Sequence, residues 1–392
     1  MSTRNSSDTV PEASPFARHL PPLDGIRGLA VLGVVGSHLF PSNAHSALQA
    51  AIHSTLALGA AGVDLFFVLS GFLITGILYD SLPDPAFFRK FYARRVLRIF
   101  PLYYGVLAAF AIAAVAFGLN FHSELLSLAL YLQNSSLIAL PIRNYGGPTG
   151  LPLSHFWSLA IEEQFYLAWP ITVFLLRKKR RLLAFCAMAM LLCPVLRFAL
   201  LQHGVNYFTI HTNTLCRADS LLAGGALALL LRTHLHDKVL RAGGWLFAGA
   251  LVASATVHTM ISHQLISGPS TSFVLILASV YSVTAIGSVG LVAFALGSRH
   301  IGRLFSIKPM RWLGKYSYGI YVLHIIFFEY FGHPINGAVR LYLTPNKGVA
   351  VVLTGLLVFV LTLAAAYLSY NLYEKRFLRL KHFFRYHPLP TP

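Results

Sequence analysis

Long apolar blocks dominate this sequence and restrict what the chain can fold into. Ten of them, each 16 to 26 residues long, are separated by more polar segments, and only 11% of the residues are charged. About 20 apolar residues form a helix that crosses a bilayer, and backbone in lipid must satisfy its own hydrogen bonds. We therefore predict an all-α integral membrane protein. The predicted spans are 26–41, 60–79, 97–118, 154–176, 182–201, 214–231, 242–261, 271–296, 316–333 and 348–371.

The basic residues predict how these spans are oriented. Of the 31 Lys and Arg residues, 25 lie in the terminal segments and alternate connections, whereas the other connections hold only Arg143, Arg340 and Lys347. Because cytoplasmic loops carry the excess of Lys and Arg, this split predicts ten spans with both termini in the cytoplasm. An eleventh crossing at the apolar segment 123–140 would violate the rule, so we predict a re-entrant or interfacial helix there.

Polar segments lie at both ends of the sequence, and we predict a single membrane domain between them, over residues 23–375. Residues 1–22 are polar and contain four prolines, which predicts a disordered cytoplasmic tail, and residues 376–392 predict a basic cytoplasmic tail. The net charge of +18 does not predict a nucleic-acid partner, because the basic residues are dispersed over six cytoplasmic segments. The 17 histidines show no metal-ligand spacing, so no metal site is predicted.

Ionisable residues inside spans are costly and are therefore functional candidates. The first span contains Asp24, Arg27 and His38. Arg27 and His38 are eleven residues apart, which places both on one helix face about 16 Å apart along the axis. They can line one polar track. Alternatively, Asp24 and Arg27 are interfacial anchors and His38 is a lone histidine with a satisfied hydrogen bond.

Three further spans carry polar candidates. Glu162 and Glu163 lie in the fourth span, and one of them could instead form a structural ion pair with Arg217 or Arg197. Arg217 and Asp219 begin the sixth span two residues apart, so they point in different directions and need different partners. His324 lies in the middle of the ninth span, where a bond to a neighbouring hydroxyl is the alternative.

An arginine cluster precedes the third span. Arg94 and Arg98 are four residues apart on one helix face, with Arg95 beside them. Guanidinium groups at a helix start, where free backbone N–H groups also point outward, form a good phosphate site. The alternative is that these arginines only set the topology.

Together these segments resemble the acyltransferase-3 family of membrane O-acyltransferases. Six motifs in order, spread over residues 23–375, make the resemblance specific. They are LDGIRGLAVLGVVGSH at 23–38, GVDLFFVLSGFLI at 62–74, FYARRVLRIFPLYY at 91–104, HFWSLAIEEQFYL at 155–167, RADSLLAGG at 217–225 and YSYGIYVLH at 316–324. Some relatives continue into a C-terminal hydrolase-like domain; this sequence leads us to expect a stand-alone transferase.

The resemblance implies transfer of an acyl group, usually acetyl, from cytoplasmic acyl-CoA (acetyl-CoA) to a hydroxyl. Implied acceptors are a surface polysaccharide, a lipid-linked sugar or a macrolide-type natural product, and the implied location is a bacterial cytoplasmic (inner) membrane. A multi-span transporter or a flippase of a polysaccharide assembly system is the alternative.

The resemblance also gives the polar residues expected roles. His38 is expected to be a general base or an acyl carrier, Arg27 to position the donor, and Glu162 to orient His38 or the acceptor. The phosphates of coenzyme A are expected at Arg94, Arg95 and Arg98. The expected lining or supporting residues are Asp24, Ser70, Arg217, Asp219 and His324.

Overall fold

The computed structural model describes residues 20–39, 58–118, 122–134, 151–262 and 270–386. Every regular element among them is helical, which confirms the predicted all-α class. The α-helices are α1 (Pro21–Leu39), α2 (Gly62–Asp80), α3 (Phe87–Phe117), α4 (His122–Ala129), α5 (Trp157–Leu176), α6 (Lys179–Gln202), α7 (Tyr207–Thr212), α8 (Thr214–Leu230), α9 (His236–Ser262), α10 (Thr271–Gly297), α11 (Arg299–Phe305), α12 (Lys308–Tyr342), α13 (Lys347–Ser369) and α14 (Lys375–Arg379).

Seven helices in the described part of the chain are long and apolar enough to cross a membrane, namely α2, α3, α5, α6, α9, α10 and α13. The protein is therefore a multi-pass membrane protein. Helices also lie at the other three predicted spans, α1, α8 and α12. Among these, α8 has only 17 residues, and all three carry ionisable residues. The count of ten spans stays a prediction.

The segment predicted as a re-entrant or interfacial helix is helical only over α4, and its last residues, 135–140, lie outside the described residues. Helix α4 lies against α3, because the hydroxyls of Tyr103 and Tyr104 donate to the carbonyls of Leu128 and Ala129. The chain then turns at Tyr131. The predicted tail likewise falls outside the described residues over positions 1–19.

Close contacts at glycines fix how the central helices pack. Gly314 of α12 lies directly against the backbone of Asp24 in α1, where a Cβ atom would clash. Towards the other end of the two helices, His38 contacts His324. The helices α1 and α12 are therefore parallel. Small residues allow such close approach between membrane helices.

A second close pair is formed by α2 and α8. Gly71 lies against the backbone of Leu221, and Gly225 lies against Thr75. From the first contact to the second, the residue numbers increase in both helices, so α2 and α8 are also parallel. The apolar side chains of these central helices form the core, and three buried cysteines without disulfide bonds lie among the helices: Cys186, Cys193 and Cys216.

The chain beyond α13 turns back onto α3. A π-helical turn (Tyr370–Glu374) leads into α14, and a 3₁₀ turn (Leu380–Phe384) follows. The guanidinium of Arg94 donates to the carbonyl of Phe384 over 3.4 Å and lies over the ring of Tyr386. This C-terminal segment therefore packs beside the arginine cluster.

Candidate functional site

A cavity of about 290 Å³ lies between α1, α2, α3, α5, α12 and the C-terminal segment. It brings together residues from five separate sequence motifs. Six of the predicted site residues line it, namely Arg27, Ser70, Arg94, Arg95, Arg98 and Glu162.

One wall of the cavity is strongly basic. Arg94, Arg95 and Arg98 project into it from α3, and Lys381 joins them from the C-terminal segment. The Nε atom of Arg95 is buried without a hydrogen-bond partner among the described residues. Clustered cations with an unused buried donor are suited to bind an anionic ligand such as a phosphate.

The start of helix α3 corrects the expectation that free backbone N–H groups contribute to the arginine site. Helix α3 begins at Phe87, seven residues before Arg94. The backbone N–H groups near the arginines therefore take part in the helix, and the expected contribution from a free helix N-terminus is wrong. The guanidinium groups themselves supply the positive charge, and burial together with these arginines lowers the pKa of the neighbouring Lys381 to about 6. Sequence analysis had assigned Lys381 only to a tail, because no motif connects it with α3.

The opposite wall carries two carboxylates. Glu162 lies beside the hydroxyls of Ser70 and Tyr166, which are hydrogen-bonded to each other, and faces Arg95 and Arg98. One carboxylate oxygen of its neighbour, Glu163, is buried without a hydrogen-bond partner among the described residues. Neither carboxylate pairs with Arg197 or Arg217, which was the alternative that the sequence left open. Those two arginines pair with aspartates instead.

Arg27 connects α1 with this cavity. Its guanidinium donates to the carboxylate of Asp24 one helical turn earlier, at 3.0 Å, and it faces Arg98 and Arg95. Asp24 therefore acts on the cavity through Arg27. Five basic side chains and two carboxylates line the cavity, so it is positively charged before any ligand binds.

Three histidines form a cluster at the other end of α1. Nδ1 of His38 lies 3.0 Å from Nε2 of His324, and the ring of His155 is centred 4.9 Å from that of His324. His38 is exposed, whereas His324 is fully buried. The hydrogen-bond partner of His38 is thus His324, whereas Glu162 lies beside Ser70 and Tyr166 in the cavity.

The cavity and the histidine cluster share one wall. Ser158 and Tyr321 line the cavity and are hydrogen-bonded to each other. The Tyr321 hydroxyl also donates to the carbonyl of His155 at 2.9 Å, and Nδ1 of His324 bonds to the carbonyl of Tyr321 at 2.6 Å. The cavity wall therefore adjoins the buried rings of His155 and His324, and the exposed imidazole of His38 lies beyond His324.

Arg217 and Asp219 lie away from the cavity, in two buried ion pairs. Arg217 pairs with Asp64 of α2 at 2.9 Å, and Asp219 pairs with Arg197 of α6 at 2.9 Å. The prediction that they need different partners is confirmed. Asp64 was not among the predicted site residues, although it lies in the motif at 62–74. Burial, reinforced by Arg217, lowers the pKa of His211 in the connecting helix α7 to about 3.

A family model described as an acyltransferase domain matches residues 21–371, nearly the whole chain. The chain belongs to the acyltransferase-3 family. The match includes every helix that lines the cavity, but it ends before Lys381. No solved structure matches the chain.

Several bacterial proteins named as O-acetyltransferases are similar to this chain. A putative peptidoglycan O-acetyltransferase of Bacillus subtilis is 30% identical over 337 residues, covering 78% of this chain and 48% of the relative. The peptidoglycan O-acetyltransferase of Listeria monocytogenes is 30% identical over 321 residues, covering 78% and 49%. A putative O-acetyltransferase of Staphylococcus aureus is 27% identical over 346 residues, covering 83% and 53%. The chain thus spans about half the length of these relatives.

Proposed function

We propose that this protein is a membrane O-acyltransferase that moves an acetyl group from cytoplasmic acetyl-CoA to a glycan hydroxyl. The single observation that carries the proposal is the wall shared by a basic cavity and a cluster of histidines that includes His38. An anionic donor in the cavity and a hydroxyl acceptor at His38 can thus be bound on opposite sides of Tyr321 and His324.

Helix directions support ten spans with both termini in the cytoplasm. In that scheme α1 and α12 are the first and ninth spans and both run outward, while α2 and α8 are the second and sixth and both run inward. Parallel packing of each pair agrees with this assignment. The proposed assignment of spans would locate the arginines at the cytoplasmic end and His38 at the opposite end. Since the similar proteins are bacterial, the proposed location is the bacterial cytoplasmic membrane.

Coenzyme A is the proposed donor carrier because its phosphates fit the basic wall. Arg94, Arg95, Arg98 and Lys381 surround the position for these phosphates, and guanidinium groups bind phosphate oxygens in bidentate fashion. The pantetheine arm would extend along the cavity toward Tyr321, which carries the thioester to the wall shared with the histidines. Arg27 would position the arm.

His38 is the proposed proton acceptor or acyl carrier. In direct transfer, the proton of the acceptor hydroxyl moves to an imidazole nitrogen of His38 while the hydroxyl oxygen bonds to the acyl carbon. The carbon–sulfur bond of the thioester breaks, and the released thiolate takes up a proton. A neutral imidazole can take up and release a proton near neutral pH, which suits this exchange. Exposure of His38 leaves room for the acceptor.

The acceptor is proposed to be a polysaccharide, with peptidoglycan tested first because two similar proteins are named for it. Lipid-linked sugars and macrolide-type hydroxyls form the second group of candidates. Purified protein in nanodiscs would be incubated with labelled acetyl-CoA and each acceptor. We expect release of CoA that depends on the acceptor and a labelled product.

Substitution of His38 tests the assignment of its role. His38→Ala should abolish acceptor-dependent release of CoA, whereas His300→Ala, at an exposed histidine in α11, should not. Thermal unfolding of both variants in detergent checks that they are folded. Turnover by folded His38→Ala at the wild-type rate would refute the proposed role. Product formed only on the cytoplasmic side of oriented vesicles would refute transfer across the bilayer.

A further inference from the structure

A chain of three hydrogen-bonding groups determines which nitrogen of His38 can react. The carbonyl oxygen of Tyr321 lies 2.6 Å from Nδ1 of His324. A carbonyl oxygen only accepts hydrogen bonds, so Nδ1 of His324 must carry the hydrogen. A neutral imidazole carries one N–H hydrogen, which leaves Nε2 of His324 as an acceptor.

His324 is neutral in this arrangement because of its surroundings. Its side chain is completely buried, and its hydrogen bonds go to His38 and to backbone carbonyls. The nearest titratable side chains, His38, His155 and Tyr321, supply no carboxylate that could balance a positive charge on His324. An imidazolium so deeply buried would need a negatively charged partner, and no carboxylate bonds to His324 among the described residues.

The next link fixes His38. Its Nδ1 lies 3.0 Å from Nε2 of His324, and a hydrogen bond between two nitrogens requires one hydrogen. Since Nε2 of His324 has none, Nδ1–H of His38 donates. This leaves Nε2 of His38 without a hydrogen and, because His324 occupies the Nδ1 side, turned away from the buried partner.

We propose that His324 is a positioning residue that holds His38 in the Nδ1–H tautomer and thereby makes Nε2 of His38 the reacting atom. The inference rests on the proposed acyl transfer, and it applies whether His38 acts as base or carrier, since both need a free lone pair. When Nε2 takes the acceptor's proton, the imidazolium of His38 still donates through Nδ1 to His324. That bond is then charge-assisted and stronger.

His324 thus orients His38 as an aspartate orients the histidine of a serine–histidine–aspartate triad, but without a negative charge. The neutral partner predicts a particular response to substitution. His324→Gln keeps an acceptor oxygen and should lower kcat by about tenfold. His324→Phe removes the acceptor and should lower kcat by about 100-fold or more. In both variants the KM for acetyl-CoA should stay within about twofold, because the donor phosphates bind at α3.

The direct test is nuclear magnetic resonance of protein with ¹⁵N-labelled histidine in detergent micelles. Signals of His38 are assigned by their loss in His38→Ala, and couplings to the ring hydrogens distinguish the two nitrogens. We expect a protonated Nδ1 and an unprotonated Nε2 at His38 in the wild type. His324→Phe should convert His38 to the Nε2–H tautomer, and His324→Gln should retain the Nδ1–H tautomer.

A wild-type spectrum with hydrogen on Nε2 of His38 would overturn the inference without any need for a variant. Retention of the Nδ1–H tautomer in folded His324→Phe would overturn it as well. The test is separate from that of the proposed function. If no acceptor supports release of CoA but the tautomer is as expected, the proposed function fails and the positioning by His324 stands.

Discussion

Asp64→Asn should strongly destabilise this protein, because it removes the charge that balances a fully buried arginine. Nη2 of Arg217 donates to Oδ1 of Asp64 at 2.9 Å, and the guanidinium is centred 3.9 Å from the ring centroid of Tyr281. Arg217 is 0% exposed, so water cannot replace the lost partner. The hydroxyl of Ser220 bonds to the same carboxylate oxygen at 2.8 Å.

The size of the effect follows from this burial. Removing one partner of a buried ion pair costs about 3–5 kcal/mol, because the remaining charge is left uncompensated. Asparagine preserves the shape of the site and an acceptor oxygen, so the loss reflects the charge rather than packing. We therefore expect Asp64→Asn to lower the free energy of unfolding by about 3–5 kcal/mol.

The chain offers a matched control at the end of the same helix. Asp80 of α2 pairs with Arg232 at 2.6 Å, but the Asp80 side chain is 37% exposed. Exposed ion pairs contribute about 0–1 kcal/mol, so Asp80→Asn should change the free energy of unfolding by at most about 1 kcal/mol. The residue types are the same, and Arg232 binds both oxygens of Asp80, so a smaller loss at Asp80 would reflect its exposure and not a weaker geometry.

Unfolding in mixed micelles by titration with sodium dodecyl sulfate measures both variants. The double variant Asp64→Leu with Arg217→Met, which removes both charges, should be more stable than the sum of its single variants predicts. Equal losses for Asp64→Asn and Asp80→Asn would refute the reasoning. So would strict additivity in the double variant.

Three other substitutions test the donor site, the helix packing and the response to acid. Lys381→Gln should raise the KM for acetyl-CoA several-fold with little change in kcat, whereas exposed Lys375→Gln should leave both unchanged; steady-state kinetics would contradict the donor site if the two variants behaved alike. Gly71→Ala should destabilise the protein because its Cβ would meet backbone of α8, whereas Gly249→Ala meets open space; equal unfolding midpoints would argue against the parallel contact. His211 has a folded-state pKa of about 3 against an ordinary 6.5, so the unfolded chain binds its proton first and stability falls as pH drops below 6.5. His211→Asn should make that decline shallower in acid titrations followed by circular dichroism, and an unchanged slope would exclude this contribution.

Sequence alone predicted much of the helical architecture and part of the site. Apolar blocks and breaks between them locate helices because a helix in lipid satisfies its backbone within one segment. The six motifs and their order predicted the family, and residues of these motifs that were predicted for the site include six that line one cavity. Such features are local, since they depend on residues within a few helical turns of one another.

Helix boundaries were less well determined. The predicted third span began at residue 97, whereas α3 begins at Phe87, because basic residues interrupt the apolar pattern before residue 97 even though Phe87 and Phe91 are buried in the core. For the same reason, the basic segment after residue 375 could not be recognised as a wall of the cavity. Lys381 reaches Arg98 only because the chain turns back onto α3.

Tertiary structure alone decided which polar groups meet. Arg27 and His38 share a helix face, yet Arg27 lines the cavity and His38 bonds to His324, which is 286 positions away. Arg217 is paired with Asp64 across 153 positions rather than with a nearer carboxylate. Spacing along one helix fixes the direction of a side chain, but the identity of its partner depends on which helix packs beside it. That choice is made by close contacts at glycines, whose partners in space no local pattern reveals.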